Sequence, residues 1–157
     1  MTAAVTREHP PAALMRVVNP VVRAVLRSPL HRAADGAVLV LHLTGRRTGR
    51  RYDIPLGFWR IEGRLTIFTN SRWRANLRPA GEVEVTWRGR RQPMQAQLEE
   101  DPATVATAYQ RVIEELGWQR AQRRLGLRIH VRRAPTLAEL EEVVRTSGLS
   151  IVTLTPR

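Results

Sequence analysis

The sequence predicts an α+β domain: a meander of short strands that closes into a small antiparallel barrel, with a helix before it and helices after it. Three observations carry this. Between residues 37 and 100, apolar runs of strand length are separated by very short turns. Links that short impose antiparallel pairing, and five or six such strands commonly close on themselves. Outside that stretch the apolar spacing changes to three and four, with capping residues at the helix starts. A chain of 157 residues, 43% of them hydrophobic, without repeat or linker composition, reads as one domain over 1–157. Its parts are a helical segment at 1–34, a barrel core at 37–100, helices at 101–146 and a closing strand at 149–155.

Residues 1–10 read as a frayed start. From Pro11 to about Ala34, Leu14, Val18, Val21 and Val25 recur at helical spacing, while Arg16, Arg23 and Arg27 share another face. Pro20 and Pro29 are expected to kink or divide this helix. A basic amphipathic helix of this kind packs on its own domain or lies on an anionic membrane surface.

Ala37–Thr44 reads as a buried strand, Tyr52–Ile61 as its partner, and Leu65–Asn70 as a third strand after the Glu62-Gly63 turn. In Glu82–Arg88 the alternation is clean: Val83, Val85 and Trp87 on one face, Glu82, Glu84, Thr86 and Arg88 on the other. Gly89 turns into a strand over Arg90–Glu100, where Pro93 suggests an edge or a bulge. Between the third and fourth strands, residues 71–77 are expected to form one or two helical turns capped by Ser71. Asp101-Pro102 sets a cap and a first-turn proline ahead of a helix over Ala103–Leu116. The basic segment Gln119–Leu125 follows. Thr136–Arg145 is another helix, with Thr136 and Glu139 in capping-box spacing, and Leu149–Leu154 is the closing strand.

The net charge is +12, and all 26 basic residues are arginine. Permanently charged, bidentate donors in that number favour an anionic partner: a phosphorylated cofactor, nucleic acid or acidic lipid. Nucleic acid is disfavoured, because the arginines are dispersed along the chain. No zinc finger, helix-turn-helix spacing or RNA-binding aromatic motif accompanies them. The chain has no cysteine, which excludes disulfides, thiolate zinc sites and cysteine nucleophiles. His9, His31, His42 and His130 show no metal-ligand spacing; His42, in mid-strand, reads as a packed or hydrogen-bonded structural residue. Glu82 and Glu84 read as a solvated face. Neither a Gly-x-Ser-x-Gly elbow nor a Rossmann or P-loop glycine pattern occurs. An enzyme of this composition leaves the reaction to a bound organic cofactor. No signal-peptide pattern or bilayer-length apolar run is read. The expected location is the cytoplasm, with membrane association only through the N-terminal basic helix.

The segment richest in chemistry is Leu43-Thr44-Gly45-Arg46-Arg47-Thr48-Gly49-Arg50-Arg51. It sets four arginines and two glycines on a tight connection after an apolar strand. Glycine lets the backbone turn and approach a ligand closely, and guanidinium forks grip phosphate or carboxylate through two bonds each. A hairpin tip carrying solvated charge has the same composition. The residues alone leave both readings open.

In order, the Thr-Gly-Arg-x-Thr-Gly-x-Arg loop, the strand with Ile54-Pro55-Leu56, and Trp73-x-x-Asn76-Leu77 resemble the deazaflavin-dependent nitroreductase family. The resemblance runs from about Asn19 to Arg91, with further support at Ile151–Pro156. It implies a split β-barrel of the FMN-binding type and coenzyme F420, an 8-hydroxy-5-deazaflavin hydride carrier, as cofactor. FMN or heme in the same barrel is the alternative ligand. By the same resemblance Arg46, Arg47, Thr48, Gly49, Arg50 and Arg51 would hold the coenzyme's phospholactyl-oligoglutamate tail. Backbone around Ile54, Pro55 and Leu56 would line the ring, and Asn70, Ser71, Arg72, Trp73 and Asn76 would close over ring and phosphate. Trp73 also suits a core anchor, and Asn76 a tie for a loop backbone. Relatives often carry a lysine in the loop where this chain has arginine. The implied activity is hydride transfer from the cofactor's C5 to a small-molecule electron acceptor such as a quinone, enone or nitro compound. It needs no metal and no catalytic side chain, and the protein would act as monomer or homodimer. The remaining alternatives are a non-catalytic deazaflavin carrier and an arginine-rich protein of nucleic-acid or membrane surfaces.

Overall fold

The computed structural model describes residues 3–7 and 38–156. The helix expected over 11–34, with Arg16, Arg23 and Arg27 on one face, lies outside the described residues. In chain order the elements are β1 (Val5–Arg7), β2 (Val38–Thr44), β3 (Arg51–Gly57), β4 (Trp59–Ile61) and β5 (Arg64–Thr69). A short 3₁₀ helix (Arg72–Leu77), β6 (Gly81–Trp87) and β7 (Arg90–Glu99) follow. The chain then forms α1 (Pro102–Leu116), α2 (Trp118–Leu125), β8 (Leu127–Ile129), α3 (Leu137–Ser147) and β9 (Ser150–Pro156). The described residues gather into two compact units, one drawn from 38–67, 71–98 and 152–156, the other from 3–7, 68–70 and 99–151.

The first unit is built on a seven-stranded sheet in the order β3-β2-β6-β7-β9-β5-β4. Its two end strands, β3 and β4, are joined in the chain by Phe58 alone. Seven strands laid flat would separate those ends by roughly 29 Å, whereas one residue spans about 3.5 Å. The sheet therefore curls back on itself, and with the helices the fold is the α+β, split-barrel-like architecture expected.

The single strand expected over Tyr52–Ile61 is two. β3 pairs with β2 from Thr44↔Arg51 to Val38↔Gly57. After the pair Val38↔Gly57 the chain changes partner, and Trp59 pairs with Thr66 of β5. Pro93 lies on no edge, since β7 is flanked by β6 and β9. There is no bulge either: the β6–β7 register runs unbroken from Gly81↔Ala96 through Glu84↔Pro93 to Trp87↔Arg90. The proline ring stands on the exposed face. Inside the curl, Leu39, Leu41, Leu43, Val85, Met94, Val152 and Leu154 form the buried cluster. Val83 and Trp87 pack against it on the face the alternation assigned.

In the second unit, part of the start expected to fray is a strand: Val5–Arg7 pairs antiparallel with Leu127–Ile129. Val5 is 3% exposed, and the Arg7 guanidinium donates to the Leu125 carbonyl. An apolar residue at position 5 and a partner more than 120 residues away leave no local signal. The basic segment is helix α2, ended by Gly126 in the left-handed region at φ 66°. Both expected caps form. Asp101 Oδ2 accepts from Thr104 N–H at 3.0 Å. Thr136 Oγ1 accepts from Glu139 N–H at 3.2 Å, while Glu139 Oε1 accepts from Thr136 N–H at 2.9 Å. Among the described residues no helix is long and apolar enough to cross a membrane.

These carboxylates give the unit an acid limb. The Arg133 guanidinium, 2.6 Å from Glu139 Oε1, and the Thr136 amide hold the Glu139 carboxyl down from 4.5 to about 2. Hydrogen bonds from Thr104 lower Asp101 in the same direction. A depressed carboxyl stabilises the fold above its unfolded value and ceases to do so as pH falls through the folded one. Thermal unfolding followed by circular dichroism is thus expected to show stability falling between pH 4.5 and about 2. Glu139→Gln should flatten part of that slope; a slope identical to wild type would remove the assignment.

Candidate functional site

Two connections of the sheet unit build the site. The first joins β2 to β3 beyond the last pair, Thr44↔Arg51. Gly45 N–H donates to the Arg50 carbonyl at 2.7 Å and Gly49 N–H to the Gly45 carbonyl at 2.9 Å. Arg50 N–H donates to Thr48 Oγ1 at 3.3 Å. Gly49 has φ +68°, a conformation that disfavours residues with a Cβ. This internal bonding engages the amides of Gly45, Gly49 and Arg50 and fixes the shape of the loop.

The second connection is the 3₁₀ helix. Leu77 is buried and Trp73 packs against the same cluster, four residues apart, which clamps one side of the segment to the sheet. The turn is held by Arg74 N–H to the Ser71 carbonyl at 3.3 Å and by Arg74 Nη1 to the same oxygen at 2.9 Å. Ser71 stands at the N-cap, but its side chain makes no cap bond. The expected α-type cap gives way to i→i+3 bonding, in which positions three apart eclipse and Arg72, Ala75 and Arg78 share an edge.

Asn76 ties the two connections together. Its Oδ1 accepts from Arg46 N–H at 3.0 Å and its Nδ2 donates to the Trp73 carbonyl at 2.9 Å. Between the connections opens a cavity of about 990 Å³, at the upper end of the range for small-molecule sites. Arg46, Arg47, Arg72, Arg74 and Arg78 line it together with Trp73, and among the described residues no aspartate or glutamate does.

Of the residues expected to hold a ligand, Arg46, Arg47, Thr48, Arg72, Trp73 and Asn76 come together in this lining. Gly49, Arg50, Arg51, Ile54, Pro55, Leu56, Asn70 and Ser71 are not part of it. Ile54 and Leu56 pack against the core cluster, and Pro55 pairs with Val40. Asn70 belongs to the second unit, where its Nδ2 donates to the Ser147 carbonyl at 3.4 Å. The lining adds Gly45, Tyr52, Arg74, Ala75 and Arg78. Arg74 and Arg78 were within reach of sequence reasoning, as arginines four apart beside Trp73 and Leu77. Tyr52 was not, because its place beside Gly45 follows from the β2–β3 register.

His42 has both ring nitrogens engaged, Nδ1 with Asp53 Oδ1 and Nε2 with Thr86 Oγ1, each at 2.7 Å. That is the structural role expected for it. A smaller cavity of about 330 Å³ shares Asn76 as a wall and carries Glu82 and Glu84.

The family model described as F420H(2)-dependent quinone reductase matches residues 14–133. No curated protein matches the chain. A solved structure described as a domain-swapped dimer aligns at TM-score 0.46 and 12% identity, over 90% of this chain and 99% of its own.

Proposed function

The chain belongs to the F420H(2)-dependent quinone reductase family, and from that premise we propose that the arginine cavity is where its coenzyme is held. Membership makes the protein an oxidoreductase with coenzyme F420 as cofactor and quinone reduction as its activity. The placement rests on one observation: among the described residues, five guanidiniums and no carboxylate line a single cavity beside an indole. The residues present fit the group. Arg46 and Arg47 from the loop, with Arg72 and Arg74 from the 3₁₀ helix and Arg78 at its C-cap, would hold the anionic tail through charge-assisted bonds. Trp73 offers an apolar surface to the ring.

Bound and reduced, the coenzyme supplies a hydride. The chain's own residues do the rest. Asn76 sets the spacing between the two walls and so the orientation of whatever lies between them. The net positive field of the cavity would also favour negative charge that develops on the acceptor. Among the described residues no imidazole or carboxyl stands in the lining, and solvent can deliver the accompanying proton. Enones and nitro compounds, electrophilic like quinones, are proposed as further acceptors.

Titration of the full chain with coenzyme F420 at moderate salt tests this reading, and saturable binding in the micromolar range is expected. Failure to bind into the high micromolar range would overturn it. Binding without turnover of menadione, cyclohexenone or a nitroaromatic would make the protein a deazaflavin carrier instead.

A further inference from the structure

The two glycines of the loop are there for different reasons. Gly49 has open space where a Cβ would stand, and its positive φ accounts for it. Gly45 is not among the positive-φ glycines. A Cβ there would come within 3.1 Å of Tyr52 Cε2 and 3.2 Å of Thr48 Oγ1. The absent side chain makes room for a phenol ring. That ring is not packed away: Tyr52 is 39% exposed, a large hydrophobic side chain left open among the described residues, and it lines the arginine cavity.

Resting on the functional reading above, we propose that Tyr52, seated over Gly45, is the aromatic contact for the planar conjugated ring bound in the cavity. That ring is either the quinone acceptor or the coenzyme's heterocycle. An apolar face within a wall of guanidiniums does nothing for an anion, whereas it stacks offset on a flat conjugated ring. Trp73 is positioned by the core cluster it packs on. Tyr52 takes its position from the clearance at Gly45, which makes the pair separable by substitution. The phenol face does this work, and the hydroxyl is dispensable.

The test uses Tyr52→Ala, Tyr52→Phe, Gly45→Ala and the Gly45→Ala/Tyr52→Ala double variant in the full chain. Affinity for coenzyme F420 and for menadione is measured separately by fluorescence titration across a salt series. Tyr52→Ala is expected to weaken one or both ligands about three- to tenfold. Loss for menadione alone identifies the acceptor ring, and loss for the coenzyme alone identifies its heterocycle. Tyr52→Phe should bind within about twofold of wild type. The salt slope should be unchanged in both, because no cation is removed. Gly45→Ala should weaken binding only while Tyr52 is present, so the double variant matches Tyr52→Ala. Unchanged affinity for both ligands in Tyr52→Ala would overturn the proposal. So would a Phe variant as weak as the Ala variant, or an equal further loss on adding Gly45→Ala. Wild-type binding of the coenzyme decides the functional reading. The variant-to-wild-type ratio decides this one, and menadione supplies that ratio even if the coenzyme does not bind.

Discussion

Arg47→Ala is expected to weaken coenzyme F420 binding about ten- to hundredfold, and Arg46→Ala by a similar factor, while Arg50→Ala stays within about twofold. All three arginines sit on one short loop and are indistinguishable by composition. The difference lies in direction: Arg46 and Arg47 line the cavity and Arg50 does not. Arg46→Ala is a clean probe, because the bond to Asn76 comes from the backbone N–H and survives the substitution. Each effective removal should also flatten the dependence of affinity on salt, since one permanently charged partner is lost. Fluorescence titration of the three variants at two ionic strengths reads both quantities. Equal losses at positions 47 and 50 would mean that the loop acts as a diffuse charge, and the cavity would lose its claim to the tail.

Leu41→Ala is expected to lower stability by about 2–5 kcal/mol, a Tm drop of roughly 5–15 °C. Leu41 is 0% exposed in the middle of β2, opposite Ile54 in β3 and Val85 in β6. Neighbours pinned on both sides by ladder pairing relax little, so the removed methyl groups leave a void rather than a collapsed core. Urea unfolding followed by circular dichroism checks it. A loss under about 1 kcal/mol would show that the interior repacks freely. The same strand delivers the arginine loop at Thr44, so β2 both supports the core and aims the site.

What the sequence determined by itself was whatever a few neighbouring residues settle among themselves. The caps at Asp101 and at Thr136 with Glu139 formed as expected because each involves groups within three residues. Val83, Val85 and Trp87 turned inward because strand side chains alternate regardless of what lies opposite. The Gly-Arg loop, with Trp73 and Asn76 further on, was enough to identify the family. Only the tertiary structure decided matters that depend on distant partners. β1 formed because residues near 128 offered an edge, with Thr6 and His130 in contact across 124 positions. The break after Gly57 came with a change of partner, β2 for β3 and β5 for β4, and the interior place of Pro93 from the strand order. Which arginines converge, and that Tyr52 joins them over a glycine, depends on a register that no local pattern encodes. Local bonding writes the elements into the chain, while long-range pairing, set only once the sheet curls, chooses which side chains meet.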